Sequence, residues 1–174
     1  MTRLVVFIVV SAANLAFSRR FLRDPRTHGF YRFFAFELIL VLFLVNLPLW
    51  FANASSGRQI LSFSLLAASL IPAIGGFSLL IARGRPAGSF EDTRHLVTGG
   101  IYRYIRHPMY LSLMLLAAGI FLKDLSVLAA ALFAGSLGFL IATALTEEAE
   151  NRVKFGEEYA AYMKTAKRFI PFLI

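Results

Sequence analysis

Long apolar runs alternate with short polar, arginine-rich segments along the chain. Five runs have the length and character of membrane helices: Leu4 to Phe17, Phe33 to Ala52, Gln59 to Ala82, Pro108 to Leu122 and Leu125 to Leu145. Hydrocarbon about 30 Å thick needs roughly 20 helical residues to cross it. The first and fourth runs are shorter, so they must tilt little or thin the bilayer locally. The first run also resembles the core of a signal peptide. Only Arg3 precedes it, however, no small-residue cleavage site follows, and Arg19 and Arg20 act as a stop, so it reads as an uncleaved first span.

The connections refine this picture. Asn53 to Arg58 join the second and third runs, and Lys123 and Asp124 alone join the fourth and fifth, which predicts two tight antiparallel hairpins. In the third run Pro72, Gly75 and Gly76 can bend the helix or admit a close neighbour, and Ala131, Gly135 and Gly138 give the fifth a small-residue packing face. At Thr146 charged residues replace the apolar run. Phe155, Tyr159, Tyr162 and Ala166 keep a helical i, i+4, i+7, i+11 stripe, as in an amphipathic helix. Gly156 is expected to break that segment, Glu157 and Glu158 to start its second part where the helix dipole favours acids, and Pro171 to close it. The expected fold is all-α: a polytopic membrane protein of about five transmembrane helices with an amphipathic cytoplasmic C-terminal helix. It forms a single membrane domain over 1–174, divided into N-terminal spans (1–82) and a C-terminal half (83–174).

Composition agrees: 58% of the 174 residues are hydrophobic and only 16% charged, too apolar for an ordinary soluble domain. The net charge of +8 could suggest a nucleic-acid partner, but its placement argues for topology instead. Arg19, Arg20, Arg23, Arg26 and Arg32 follow the first run. Arg83, Arg85, Arg94, Arg103 and Arg106 precede the fourth, and Arg152, Lys154, Lys164, Lys167 and Arg168 follow the fifth. Only Arg3, Arg58 and Lys123 fall on the other side. This asymmetry alternates correctly with five crossings and predicts an outside N-terminus and a cytoplasmic C-terminus. With no cysteine there is no disulfide or thiolate chemistry. His28, His95 and His107 are too dispersed for a metal site, and His28 reads as a loop residue.

Candidate chemistry concentrates between residues 94 and 110, where His95, Tyr102, Arg103, Tyr104, Arg106, His107 and Tyr110 crowd a connection that needs only a few turn residues. Pro108 suits the first turn of the fourth helix, because its missing amide hydrogen is not needed there. His107 then lies at the cap with Arg106 beside it, next to free backbone amides, an anion-binding arrangement. Tyr110 shares the face of His107. Gly99 and Gly100 permit a sharp turn or a close approach, and Leu96 and Val97 can line an apolar slot. Arg103 and Tyr104 read as interfacial anchors. Glu147 and Glu148, at the end of the fifth run, are carboxylates expected to face Arg106 and His107. Glu148 with Arg152 and Glu150 with Lys154 are i, i+4 pairs, and Glu150 and Arg152 are read as such ordinary helix pairing. Glu37, an ionisable group at membrane depth, is a functional candidate by default, or else snorkels or pairs with Arg32.

The series His95-Leu-Val-Thr-x-Gly-Ile-Tyr102, Arg106-His-Pro-x-Tyr110, Glu147-Glu148, Phe155-Gly-Glu-Glu-Tyr159-x-x-Tyr162 and Arg168-Phe-Ile-Pro171 resembles the isoprenylcysteine carboxyl methyltransferase and phospholipid methyltransferase superfamily of integral membrane enzymes. The resemblance covers roughly residues 85 to 171 and does not extend to the first three runs. It implies methyl transfer from S-adenosylmethionine, held at the cytoplasmic face by the C-terminal half, to a lipid or small hydrophobic acceptor: a prenylcysteine carboxylate, a lipid amine or a thiol. It also implies that His95, Leu96, Val97, Gly100 and Tyr102 line the adenosyl side of the cofactor. Arg106, His107, Tyr110, Glu147 and Glu148 would meet its polar parts, with Arg106 and Glu148 at the reaction centre. No metal or nucleic acid is implied. Asn151 departs from the family pattern, which commonly has an apolar residue there. The rival readings are an NADPH-dependent membrane reductase of the sterol reductase type, against which Pro108 and the glutamate pair stand, and a non-enzymatic membrane protein that keeps the pocket for sensing or assembly.

Overall fold

The computed structural model describes residues 1–85 and 93–171; residues 86–92, inside the stretch that carries the resemblance, and 172–174, in the C-terminal half, lie outside the described residues. Helices α1 (Thr2–Ser18), α2 (His28–Asn46), α3 (Gly57–Gly84), α4 (Pro108–Phe121) and α5 (Val127–Thr165) follow in order, with 3-10 turns at Leu47–Leu49 and Gly100–Arg103. Among the described residues the only strand-like pairing is one isolated parallel bridge, Ile105 with Lys167. The protein is therefore an all-helical polytopic membrane protein. The helices over His28–Leu49, Gly57–Gly84 and Val127–Thr165 are long and apolar enough to cross a bilayer, while α1 and α4 are shorter, in line with the short first and fourth runs.

Boundaries moved where local chemistry overrides hydropathy. Helix α2 starts at His28 rather than Phe33 and ends at Asn46 rather than Ala52. Pro48 is the reason for the early end: it lacks an amide hydrogen and clashes with the preceding turn, so the chain tightens into the 3-10 turn Leu47–Leu49. Helix α5 continues through Thr146 without interruption and has non-helical backbone at Gly156 (φ 56, ψ −131), where the sequence places its break. Pro72 is accommodated inside α3.

By compactness the chain divides into two units, Met1–Ala67 with Met114–Glu147, and Ala68–Leu113 with Glu148–Ile174. In the first unit Ala35, Leu42, Ile120, Ala129, Leu140 and Ala144 are buried. A Cβ at Gly119 would lie 2.8 Å from Leu66 and 3.0 Å from the Ser62 carbonyl, so glycine permits this close crossing of α3 and α4. Of the predicted small-residue face on α5, Gly135 does meet a neighbour, Leu38, whereas Gly138 faces open space and Ala131 is exposed. Phe121 and Phe133 stack at 4.9 Å across the α4–α5 turn. Glu37 accepts hydrogen bonds from Ser11 (2.6 Å) and Asn14 (2.8 Å) of α1, polar links of the kind that join helices where lipid gives no hydrophobic drive.

Lys123, counted among the outer charges, is fully buried. Its Nζ donates to Gln59 Oε1 at 2.8 Å and lies 3.3 Å from the centre of the Phe63 ring. Gln59 Nε2 in turn donates to the Leu49 and Ala52 carbonyls at 3.2 and 2.7 Å, tying the start of α3 back to the turns that follow α2. Burial lowers the pKa of Lys123, and the ring and the glutamine replace part of the water it has lost.

Gln59→Leu should therefore lower stability by about 2 kcal/mol, because it strips an acceptor from a buried cation and a donor from two carbonyls. The check is the thermal midpoint in detergent, where an unchanged value would show that Lys123 does not depend on Gln59. Gly156→Ala should cost about 1–3 kcal/mol although nothing lies within 4 Å of the added Cβ, because the backbone conformation itself excludes a side chain.

Candidate functional site

In the second unit the chain from Arg94 to Pro108 is fastened piece by piece. Arg94 and His95 donate through their backbone amides to the Gly84 carbonyl at 2.8 and 3.2 Å. Gly100 adopts φ +61, beyond the easy reach of other residues, and opens the 3-10 turn Gly100–Arg103. Tyr102 is buried, and its hydroxyl lies 3.4 Å from the Gly76 carbonyl. Gly76 also fulfils its predicted role, since a Cβ there would sit 2.9 Å from the Pro108 ring.

From the other direction, the turn at Gly156 sends the chain into 157–165 and then alongside residues 104–107. Tyr162 donates its hydroxyl to the Tyr102 carbonyl at 2.6 Å. Burial, followed by the neighbouring Tyr159 and Tyr102, holds the Tyr162 hydroxyl well above its ordinary pKa, so it stays protonated and able to donate. Three backbone bonds then pair the segments: Lys167 amide to Tyr104 carbonyl (3.0 Å), Arg106 amide to Lys167 carbonyl (2.7 Å) and His107 amide to Arg168 carbonyl (3.1 Å). At the helix start the His107 carbonyl accepts from Leu111 at 3.0 Å, which makes His107 the cap of α4 as the sequence predicts.

Glu148 is the centre of this assembly. The apolar part of α5 ends at Leu145, and Glu148, just beyond it, is buried. Its Oε1 accepts from Arg106 Nη2 (2.7 Å), Arg106 Nε (3.0 Å) and Arg168 Nε (3.0 Å), and lies 3.2 Å from His107 Nε2. Its Oε2 accepts from Arg168 Nη2 at 2.9 Å. Burial alone would raise the carboxyl pKa. The hydrogen bonds from His107, Arg168 and Arg106 outweigh it and hold the group ionised, well below the usual carboxylate range. An ionised carboxylate only accepts, so a hydrogen bond at this contact is donated by His107 Nε2.

The two arginines differ in freedom. Arg106 donates through Nη1 to the Ala166 carbonyl and, at 3.4 Å, to that of Met163, and only 8% of its side chain is exposed. The Arg168 guanidinium donates to Glu148 through Nε and Nη2, and 26% of its side chain is exposed. Two guanidiniums against one carboxylate leave a surplus positive charge, and Arg168 carries its accessible part. The His107 ring stacks on Tyr110 at 5.4 Å and lies 6.0 Å from Phe169. Leu96 packs with Phe155 and Met163 against buried Tyr159, Tyr162 and Ala166.

The structure thus brings Tyr102, Arg106, His107, Tyr110 and Glu148 together, with Leu96 on the adjoining tyrosine cluster. Val97 is buried against the loop, Gly100 shapes the turn, and His95 is exposed and held through its backbone. Glu147 is half-buried and falls in the first unit; neighbours on a helix point about 100° apart, and it is Glu148 that bears the cluster. Arg168 was absent from the predicted site. Its signal was the terminal Arg-Phe-Ile-Pro motif, but twenty residues of separation from Glu148 concealed the contact that the Gly156 turn creates.

These features define an integral membrane protein whose buried carboxylate is clamped by two arginines and a histidine at the end of an apolar helix. The sequence pattern of the phospholipid methyltransferase family matches residues 58–158, more than half the chain, and the protein belongs to that family. The match begins within α3, where the motifs gave no resemblance, and ends before Arg168. No curated protein and no solved structure matches the chain. Family membership implies a membrane methyltransferase.

Glu148→Gln should destabilise the protein by about 3 kcal/mol, since a neutral amide would leave two largely buried guanidiniums facing each other. Loss of the cooperative thermal transition, or a drop of several degrees in its midpoint, is the expected result; a wild-type midpoint would remove Glu148 from the centre of the site.

Proposed function

We propose that the protein transfers a methyl group from S-adenosylmethionine to a membrane-associated or small hydrophobic acceptor. The observation that carries this reading is the surplus cation at the Glu148 cluster: it offers a place for the cofactor's carboxylate at Arg168, while half-exposed Leu96 and Tyr110, backed by the buried tyrosines Tyr102, Tyr159 and Tyr162, offer apolar and aromatic surface for an adenosyl group. The residues present fit such a group. When bound, it would supply an already activated methyl. His95, Val97 and Gly100, in the same unit, complete the proposed lining, with the N-terminus outside and the site cytoplasmic.

The roles of Arg106 and Glu148 follow from their bonding. Arg106 fixes Glu148 and the returning chain, and Glu148 in turn holds Arg168 and the His107 ring in place. A carboxylate held so strongly ionised is a weak proton acceptor, so Glu148 orients groups and balances charge rather than serving as a general base. The chain's main contribution is positional. Holding donor and acceptor aligned in a site screened from water is worth several kcal/mol of the barrier. Among the acceptors, a lipid amine accords best with the family, and such an amine must lose its proton before it attacks.

Calorimetric titration of the detergent-purified protein with S-adenosylhomocysteine and, separately, NADPH tests this reading. Binding of S-adenosylhomocysteine alone is expected, and binding of NADPH alone would overturn it. Arg168→Gln should weaken S-adenosylhomocysteine by roughly tenfold, in keeping with a charge-assisted hydrogen bond. Transfer of a labelled methyl into total lipid, prenylcysteine analogues and thiols, followed in parallel, identifies the acceptor.

A further inference from the structure

The loop between α1 and α2 is built as a platform rather than a slack connection. Phe21 and Leu22 donate through their amides to the Ser18 carbonyl at 2.8 and 3.2 Å, and Asp24 to that of Phe21 at 3.1 Å. Thr27 Oγ1 donates to the carbonyls of Asp24 (2.8 Å) and Phe21 (3.2 Å). Phe21 is the post around which the loop closes. Its ring packs on His28 at 5.2 Å and lies so close to Gly29 that a Cβ there would overlap it. The Arg20 guanidinium sits 4.4 Å from its centre, and that of buried Arg32 sits 5.5 Å away while lying 4.6 Å over Phe17.

This fixed loop displays Arg19, Arg20, Arg23 and Arg26, all exposed. Asp24 is the only acid between residues 1 and 36, and its Oδ1 accepts from the Arg26 amide at 2.9 Å. The platform therefore carries five arginines, counting Arg32 beneath it, against one carboxylate. It stands at the end of α1, whose Leu4, Val5, Ile8, Val9, Leu15 and Phe17 are exposed as a lipid-facing helix requires. A basic loop that joins the ends of two apolar helices falls at the level of the headgroups when those helices lie in a bilayer.

We propose that this loop is a docking surface for the phosphodiester headgroups of anionic phospholipids. Arginine forks match phosphate oxygens in geometry as well as charge. Basic residues next to a membrane segment each gain about 1 kcal/mol from anionic lipid, which is about fivefold in affinity per arginine. The surface is independent of the methyl-transfer reading and of which way the chain faces. It gives the protein a shell of anionic lipid around α1 and α2.

The test is native mass spectrometry of detergent-purified protein with short-chain phosphatidylglycerol or phosphatidylcholine. Wild type should retain phosphatidylglycerol at least tenfold better, roughly the effect of two arginines or fewer. Arg19→Gln, Arg23→Gln and Arg26→Gln combined should abolish most of that preference. The charge-matched combination Arg152→Gln, Lys154→Gln and Lys164→Gln should leave it intact. Equal retention of both lipids by wild type, or equal losses in the two variants, would overturn the proposal. So would a preference in wild type that survives salt of about 0.5 M, where the screening length falls to a few ångströms. Displacement of the lipid by inorganic phosphate at the same concentration would show a bare anion site and also overturn it.

Discussion

A carboxylate removed from water at the end of an apolar helix is tolerable only where cations and hydrogen-bond donors take the place of its hydration, and at Glu148 that requirement organises the whole second unit. Arg106 must stand immediately before the proline-started helix, so that a rigid cap aims its guanidinium. Arg168 must come back along residues 104–107, so the chain needs a sharp reversal, and Gly156 supplies the backbone that permits one. The backbone ladder between 104–107 and 167–168 holds the two arginines on one carboxylate. Each part is intelligible only through the anion at the centre.

Much of this was legible in the chain because its signals are local. Five apolar runs, Pro108 at a helix start, the amphipathic stripe from Phe155 to Ala166 and the break at Gly156 each follow from a few neighbouring residues. What hydropathy could not give was the end of α2, where Pro48 stops a helix inside a run that stays apolar. Nor could it give the partners of Arg106. The sequence showed two facing charge clusters, but the folded chain joins Arg106 to Met163 and Ala166 carbonyls, which have no side-chain signature at all. Arg168 was hidden for a related reason: its role depends on a chain reversal rather than on helical spacing.

Eighteen basic residues give the protein its high positive charge, yet they serve different ends. Arg106 and Arg32 are withdrawn from solvent, one against a carboxylate and the other against aromatic rings. Arg168 is shared between the buried anion and the surface. Arg19, Arg20, Arg23 and Arg26 remain exposed. A net charge therefore says little until each cation has been assigned its surroundings, and the same guanidinium group acts here as internal fastener, partly exposed partner of a buried anion and surface charge.

The burial of Lys123 has a bearing on how the chain's orientation can be read. Of the four lysines, Lys154, Lys164 and Lys167 are exposed and all follow the apolar part of α5, whereas Lys123 is closed off behind Phe63 and Gln59. An impermeant amine reagent applied to sealed vesicles thus meets lysine side chains on one face of the membrane only. The lysine-bearing peptides would be modified together or not at all, and burial of a single ammonium turns an ambiguous labelling pattern into a binary reading of topology.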